Sequence, residues 1–80
     1  MSELSFVRII FDGGIDGAPI AEFQRSDSDL PHEPYLRFNL ETLQLRIELL
    51  ERDRRDASVE RAVLPSLESQ TRKWERSRPL

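Results

Sequence analysis

Cysteine is absent from the 80-residue chain, and histidine and lysine each occur once. Without cysteine, neither a disulfide nor a thiolate metal site can supplement a small hydrophobic core. With His32 as the single imidazole and Lys73 as the single amine side chain, few nucleophilic or general acid–base groups can be brought together. We therefore expect a protein that is not an enzyme, has no cofactor and no metal, and acts by binding another molecule.

Long hydrophobic runs are also absent. No stretch of about 18 apolar residues is available to span a membrane, and residues 1–3 lack the basic segment that opens a signal peptide. We therefore expect a soluble, cytoplasmic protein without a membrane partner. A chain of this length should form one domain, which buries only about 60 to 65% of its unfolded surface and is marginally stable alone.

Charged side chains make up 34% of the sequence, and their sign changes along the chain. Residues 1–34 contain seven acidic and two basic side chains, residues 35–60 six and five, and residues 61–80 two and five. This polarity predicts an acidic and a basic solvated surface. Because the net charge is −3 and no basic stripe covers a whole face, nucleic acid is not the expected partner.

Three segments have the composition of β-strands. Residues 4–11 are rich in β-branched and aromatic side chains and run into the turn-forming residues 12–14. Residues 18–25 return as a second strand, and Pro19 at its start predicts a position at or near the edge of the sheet. Residues 35–38 alternate polar and apolar side chains, which predicts a third strand.

The first strand carries apolar side chains on both of its faces. Strict alternation gives two sets, namely Leu4, Phe6, Arg8 and Ile10 on one face, and Ser5, Val7, Ile9 and Phe11 on the other. A chain of this size has little material to cover two faces. One face is therefore expected to meet a larger protein or a second copy of the chain.

Residues 34–56 contain the densest apolar pattern, and its part over residues 40–56 fits two structures. Positions 43, 45, 47 and 49 alternate like those of a fourth strand, whereas positions 40, 43, 47 and 50 follow helical spacing. Leucine, glutamate, glutamine and arginine dominate the segment and favour the helix. Asn39 can cap this helix, and Glu41 suits its first turn.

The C-terminal part, residues 57–80, predicts a helical extension. Ser58 can cap a short turn that Pro65 interrupts, or Pro65 can open the helix over residues 66–76. Apolar positions are sparse here, so this extension docks through Trp74 or is ordered by a partner. The expected fold class is α+β: a small antiparallel sheet of about three strands packed by one main helix, all within residues 1–56, with a short C-terminal helix.

Two loops hold polar groups that merit consideration as ligand sites. Residues 12–17 combine aspartates with glycines, but they lack the lysine of a phosphate loop and the distal glutamate of a calcium loop. Residues 26–34 include Asp27, Asp29, His32 and Glu33 as potential metal ligands, yet a lone histidine among loop carboxylates is usually solvated. We expect neither loop to bind a ligand.

The side chains best suited to a protein contact lie on the strands and near the C-terminus. Near the C-terminus, Trp74 has four basic neighbours in the sequence, Arg72, Lys73, Arg76 and Arg78, and tryptophan and arginine are favoured at the centres of interfaces. The same residues also suit a helix C-terminus with Trp74 as a hydrophobic anchor, and both interpretations stay open. The contact candidates are Phe6, Arg8, Ile10, Tyr35, Arg37, Arg72, Trp74 and Arg76.

Four short segments, taken in order, follow the layout of a known family. They are Phe6-Val7-Arg8-Ile9-Ile10, Ala21-Glu22-Phe23, Pro34-Tyr35-Leu36-Arg37-Phe38-Asn39-Leu40 and Arg72-Lys73-Trp74-Glu75. This layout resembles the small assembly subunit of bacterial multicomponent phenol hydroxylases, although residues 26–34 depart from it. The resemblance implies a bacterial auxiliary protein that binds a di-iron oxygenase during its assembly, and it carries over no catalytic residue.

The leading hypothesis is therefore a non-catalytic accessory protein, or assembly factor, that binds a larger enzyme such as an oxygenase through protein–protein interaction. The alternative is a small regulator or inhibitor, encoded by a phage or plasmid, that binds a host protein. Neighbouring genes distinguish the two, because an oxygenase operon favours the first and a mobile element the second.

Overall fold

A computed structural model of the protein describes residues 3–11, 17–25 and 35–77. They form three strands and two helices: β1 (Leu4–Ile10), β2 (Ile20–Arg25), β3 (Leu36–Phe38), α1 (Leu40–Arg52) and α2 (Ser58–Ser77). The strands make one antiparallel sheet that the helices pack against, which confirms the expected α+β class. The turn expected at residues 12–14 and the loop expected at residues 26–34 lie outside the described residues.

β2 is the central strand, paired with β1 on one side and β3 on the other. The expectation that it lies at or near an edge is wrong. The ladder with β1 begins at the pair of Ile20 and Ile10, so Pro19 lies just outside the paired segment and costs no ladder hydrogen bond. β1 and β3 are the two edges of the sheet.

β1 contains a β-bulge at Val7, which has no partner in the register with β2. The extra residue shifts the alternation of side chains along the strand. Ile9 therefore packs on the hydrophobic core beneath the helices, whereas Arg8 and Ile10 lie on the opposite side, called here the outer face. Strict alternation is thus wrong beyond Val7.

α1 begins where the sequence predicts it. Asn39 Oδ1 accepts a hydrogen bond from Thr42 N–H (2.8 Å), and Thr42 Oγ1 accepts one from Asn39 N–H (2.9 Å), so that the two residues form a capping box. Leu43, Ile47 and Leu50 form the buried stripe of this helix. The helix is therefore confirmed over a fourth strand.

The turn after α1 ends the helix at Arg52 rather than near residue 56. The N–H groups of Arg54 and Arg55 donate to the carbonyls of Glu51 (3.1 Å) and Leu50 (2.7 Å), which is the hydrogen-bond pattern of a Schellman motif. Arg54 has a φ of 58°, a left-handed conformation that glycine adopts at lower cost.

α2 is one helix of 20 residues, longer than the 13 residues of α1. The expectation of a turn followed by a separate short helix is wrong. Pro65 lies inside α2, where it cannot donate to the carbonyl of Arg61. The helix continues because Glu60, Val63 and Leu67, on both sides of the proline, are buried, while Pro65 itself faces solvent.

A single core joins the sheet to both helices. The ring of Phe23 lies at its centre and meets the rings of Phe6 and Phe38 edge to face, with centroids 5.7 and 5.6 Å apart. Full burial of such a side chain contributes roughly 1.5–3 kcal/mol. The buried members are Leu4, Ala21, Phe23, Leu43, Ile47, Leu50, Ala57, Val63 and Leu67.

Candidate functional site

The structure divides the predicted contact residues among three places. Phe6 lies on the helix-facing side of the sheet, beside α2. Four candidates belong to the outer face or its margin, and three lie in the last turns of α2. These two sets are Arg8, Ile10, Tyr35 and Arg37, and Arg72, Trp74 and Arg76, respectively.

An open groove of about 350 Å³ runs between β1 and α2. Phe6 forms its strand side and is 42% exposed, although its ring packs on the buried Phe23. The helix side is formed by Ser58, Val59, Ala62, Val63 and Ser66. We call these six lining residues the Phe6 groove.

The groove stays open because α2 presents small side chains to it. Ser58, Ala62 and Ser66 recur every four residues and so lie along one side of the helix. None of the three is large enough to cover the ring of Phe6. These helix residues were not among the predicted contact candidates, although their four-residue spacing in the sequence indicates a shared side of a helix.

The outer face carries a second arrangement, centred on Glu22 of β2. Arg8 Nε donates to Glu22 Oε1 (2.7 Å), and Arg37 Nε donates to Glu22 Oε2 (2.9 Å). The three residues are direct neighbours across the strands. Glu22 is 1% exposed, whereas the side chains of Arg8 and Arg37 are 61% and 59% exposed.

The two arginines keep Glu22 ionised. The hydrogen bond from Arg8 lowers the pKa of this carboxyl, and the bond from Arg37 and the two positive charges act in the same direction, against burial, which raises it. The guanidinium of Arg8 lies 5.9 Å above the ring of Tyr35, within the range of a cation–π contact. Three predicted candidates thus meet around Glu22, a residue whose role the sequence analysis missed.

A second buried carboxylate, Glu60, connects the two helices. Arg46 Nε of α1 donates to Glu60 Oε2 (2.8 Å), and the same guanidinium lies 5.7 Å from the ring of Phe38. Among the described residues, every buried side-chain nitrogen or oxygen has a hydrogen-bond partner, and no group of three potential metal ligands occurs. Within that part of the chain, the buried charges are engaged in ion pairs.

The candidates near the end of α2 do not form one patch. Arg72 and Arg76 share a side of the helix, and Arg72 pairs with Glu68 one turn earlier (3.6 Å). Trp74 lies about 200° around the helix from Arg72 and is partly buried. The side of α2 that carries the two arginines is therefore not the side that carries Trp74, and both interpretations of Trp74 stay open.

No helix in the described ranges is long and apolar enough to cross a membrane. Comparisons with protein families, curated proteins and solved structures found no match to the chain.

Proposed function

We propose that this protein is a non-catalytic accessory protein that binds a larger enzyme through the Phe6 groove. The observation that carries the proposal is a phenylalanine that is 42% exposed at the rim of an open groove. Aromatic side chains that reach a partner's pocket are among the residues that dominate binding energies. Phe6 is also held on its other side by Phe23, so little conformational freedom is lost when a partner covers it.

The groove favours a protein over a small molecule. Sites for small ligands enclose most of the ligand and place several polar groups around it. The Phe6 groove is open to solvent, and its side-chain polar groups are the hydroxyls of Ser58 and Ser66. Apolar side chains of a partner fit this surface better than a polar metabolite does.

The edge position of β1 makes the groove accessible to a large partner. β1 pairs only with β2 within the described sheet, so its second side is not covered by a strand there. The bulge at Val7 interrupts a regular ladder and disfavours simple extension of the sheet by a foreign strand. Contact through side chains, with Phe6 at the centre, is therefore the mode that we propose.

The resemblance to the assembly subunit of phenol hydroxylases selects the first enzyme to test. A bacterial di-iron oxygenase is the larger partner that this resemblance implies. Both buried carboxylates in the described ranges are paired with arginines, and the proposal assigns neither of them a catalytic role.

Site-specific photo-crosslinking in the source cells tests the proposal. A photoreactive phenylalanine at position 6 should give one crosslinked product with a larger protein. The same group at position 45 is the control, because Leu45 is also apolar and is 53% exposed, but lies on α1. Equal products from both positions, or a product with only a second copy of this chain, would contradict the proposal.

Affinity measurements with the purified partner complete the test. Phe6→Ala should weaken binding by about 10- to 100-fold, as expected for a central aromatic contact. Phe6→Leu keeps an apolar side chain on Phe23 and controls for loss of packing. Circular dichroism of each variant shows whether the fold is retained. Unchanged affinity in a folded Phe6→Ala variant would place the contact elsewhere.

A further inference from the structure

We propose that Arg8 and Arg37 form a binding site for an oxyanion, such as a carboxylate or phosphate group, on the outer face of the sheet. The site lies on the face opposite the core and does not include the Phe6 groove. It therefore stands or falls independently of the proposed function.

Glu22 fixes the positions of both arginines. Each of its oxygens accepts a hydrogen bond from one Nε, at 2.7 and 2.9 Å. β1 and β3 flank β2 at about 4.8 Å per strand, so the two guanidiniums approach the same carboxylate from opposite sides. The stacking of Arg8 on Tyr35 restricts it further. A ligand that binds these arginines therefore does not have to order two flexible side chains.

The arginines keep unused hydrogen-bonding capacity. A guanidinium has five N–H donors, and each arginine donates to Glu22 from the one on Nε. The terminal nitrogens belong to side chains that are about 60% exposed, where solvent or a ligand can reach them. Planar pairs of N–H groups match the geometry of carboxylate and phosphate oxygens.

The charge of the cluster also favours an anion. Two guanidiniums and one carboxylate give a net charge of +1, and the negative member is the buried one. An approaching anion therefore meets the two positive groups first. In this arrangement Glu22 is a positioning residue, because its ion pairs hold the two arginines in place.

Nuclear magnetic resonance of the arginine Nε–H groups tests the site on the full chain. Sodium phosphate and sodium acetate are titrated separately at pH 7, and sodium chloride keeps the ionic strength constant. The signals of Arg8 and Arg37 should move together and saturate with one affinity. A stronger response to phosphate would assign the natural ligand to phosphate groups, and a stronger response to acetate would assign it to carboxylates.

Lysine substitutions at Arg8 and Arg37 distinguish binding that depends on guanidinium geometry from attraction by positive charge alone. Arg8→Lys and Arg37→Lys keep the charge and the ion pair with Glu22 but lose the planar fork. Each should weaken anion binding by about 5- to 10-fold, because a charge-assisted hydrogen bond is lost at a partly exposed position. Arg52→Gln, which removes an exposed charge from α1, is the control and should change nothing.

The proposal is overturned by any of three results. The Nε–H signals could fail to saturate, chloride alone could reproduce their movement, or both lysine variants could bind as tightly as the natural chain. A dispersed amide spectrum of each variant establishes that it is folded, so that a weakened site is distinguished from a lost fold.

Discussion

Two buried glutamates in this domain are neutralised in different ways. Glu60 is fully buried between the helices, and its partner Arg46 is only 22% exposed. Glu22 is equally inaccessible on β2, but its partners Arg8 and Arg37 are both largely exposed. The first pair buries the negative charge and most of the positive side chain, whereas the second buries a negative charge and leaves its positive partners at the surface.

A buried carboxylate therefore does not by itself define a site. The exposure of its counter-ion decides what the pair can do. Arg46 contacts Glu60, Phe38 and Glu3 and is only 22% exposed, so its role is to hold elements together. The side chains of the two arginines on the outer face are about 60% exposed, so a ligand has access to them.

Removal of Arg46 should give the largest effect. Arg46→Met keeps the apolar length of the side chain but leaves Glu60 without this ion pair, and we expect a loss of about 2–4 kcal/mol in the free energy of unfolding. Glu60 has a further interaction besides the pair with Arg46. The expected loss is therefore smaller than the largest losses caused by breaking a buried ion pair. Urea denaturation at pH 7 measures it, with Arg52→Met on the exposed side of α1 as control. An effect no larger than that of the control would show that the interior pair is not needed.

The next largest effect should come from acid, which weakens the cluster of Arg8, Glu22 and Arg37 on the outer face, called here the outer cluster. The folded-state pKa of Glu22 is lowered, chiefly by the hydrogen bond from Arg8, so its ionised form stabilises the fold above the unfolded pKa of about 4.3. This contribution is lost as the pH falls from there through the folded-state pKa. Urea denaturation between neutral and acidic pH should show a shallower decline in stability for Glu22→Gln than for the natural chain.

The pKa of a second carboxyl, that of Asp56, is also lowered in the folded protein, so a variant of this residue is needed as a control. Asp56 Oδ1 accepts a hydrogen bond from Ser58 N–H (2.8 Å), which lowers the pKa of Asp56. Asp56→Asn therefore also removes a contribution that is lost in acid. If Glu22→Gln leaves the acid decline of the natural chain unchanged while Asp56→Asn reduces it, the outer cluster is not the source.

Single removals at the outer cluster should cost less than removal of Arg46. In Arg8→Met or Arg37→Met, Glu22 keeps the other arginine and gains access to solvent. The double variant removes both partners, so its loss of stability should exceed the sum of the single losses. A double-mutant cycle by urea denaturation measures this excess. Simple additivity would show that the two arginines act on Glu22 independently.

The smallest effect should come from the turn between α1 and α2. Arg54 holds a positive φ, and Arg54→Gly relieves this strain, so we expect a gain of about 0.5–1 kcal/mol at pH 7. Arg54→Ala, which keeps a Cβ, should give no such gain. Because neither ion pair is touched, the acid dependence of stability should stay that of the natural chain.

The elements that local chemistry specifies were predictable from the sequence. Asn39 with the helical spacing of the leucines after it located α1, and the aromatic and β-branched run at residues 4–11 located β1. The contact candidates Arg8, Tyr35 and Arg37 do meet on one face. These residues were predicted as contact candidates from their places in strand-like segments. Their proximity follows only from the pairing of the three strands.

The features that depend on tertiary packing were not predictable. In the sequence, Glu22 is an ordinary polar residue of a predicted strand. Its role depends on Arg8 and Arg37, which the neighbouring strands place beside it. The continuation of α2 through Pro65 depends on burial of Val63 and Leu67, which outweighs the local cost of proline. The shift at Val7 has no composition signal, since any apolar residue fits a regular strand there.

The bulge at Val7 gives β1 one residue more than its pairing with β2 requires. In a regular strand, loss of one residue turns every later side chain to the other face of the sheet. Loss of Val7 would instead leave Phe6, Arg8 and Ile9 on the faces that they already occupy. The first strand can therefore change its length by one residue while the core and the arginine pair keep their places, a tolerance to deletion that the regular ladder between β2 and β3 does not offer.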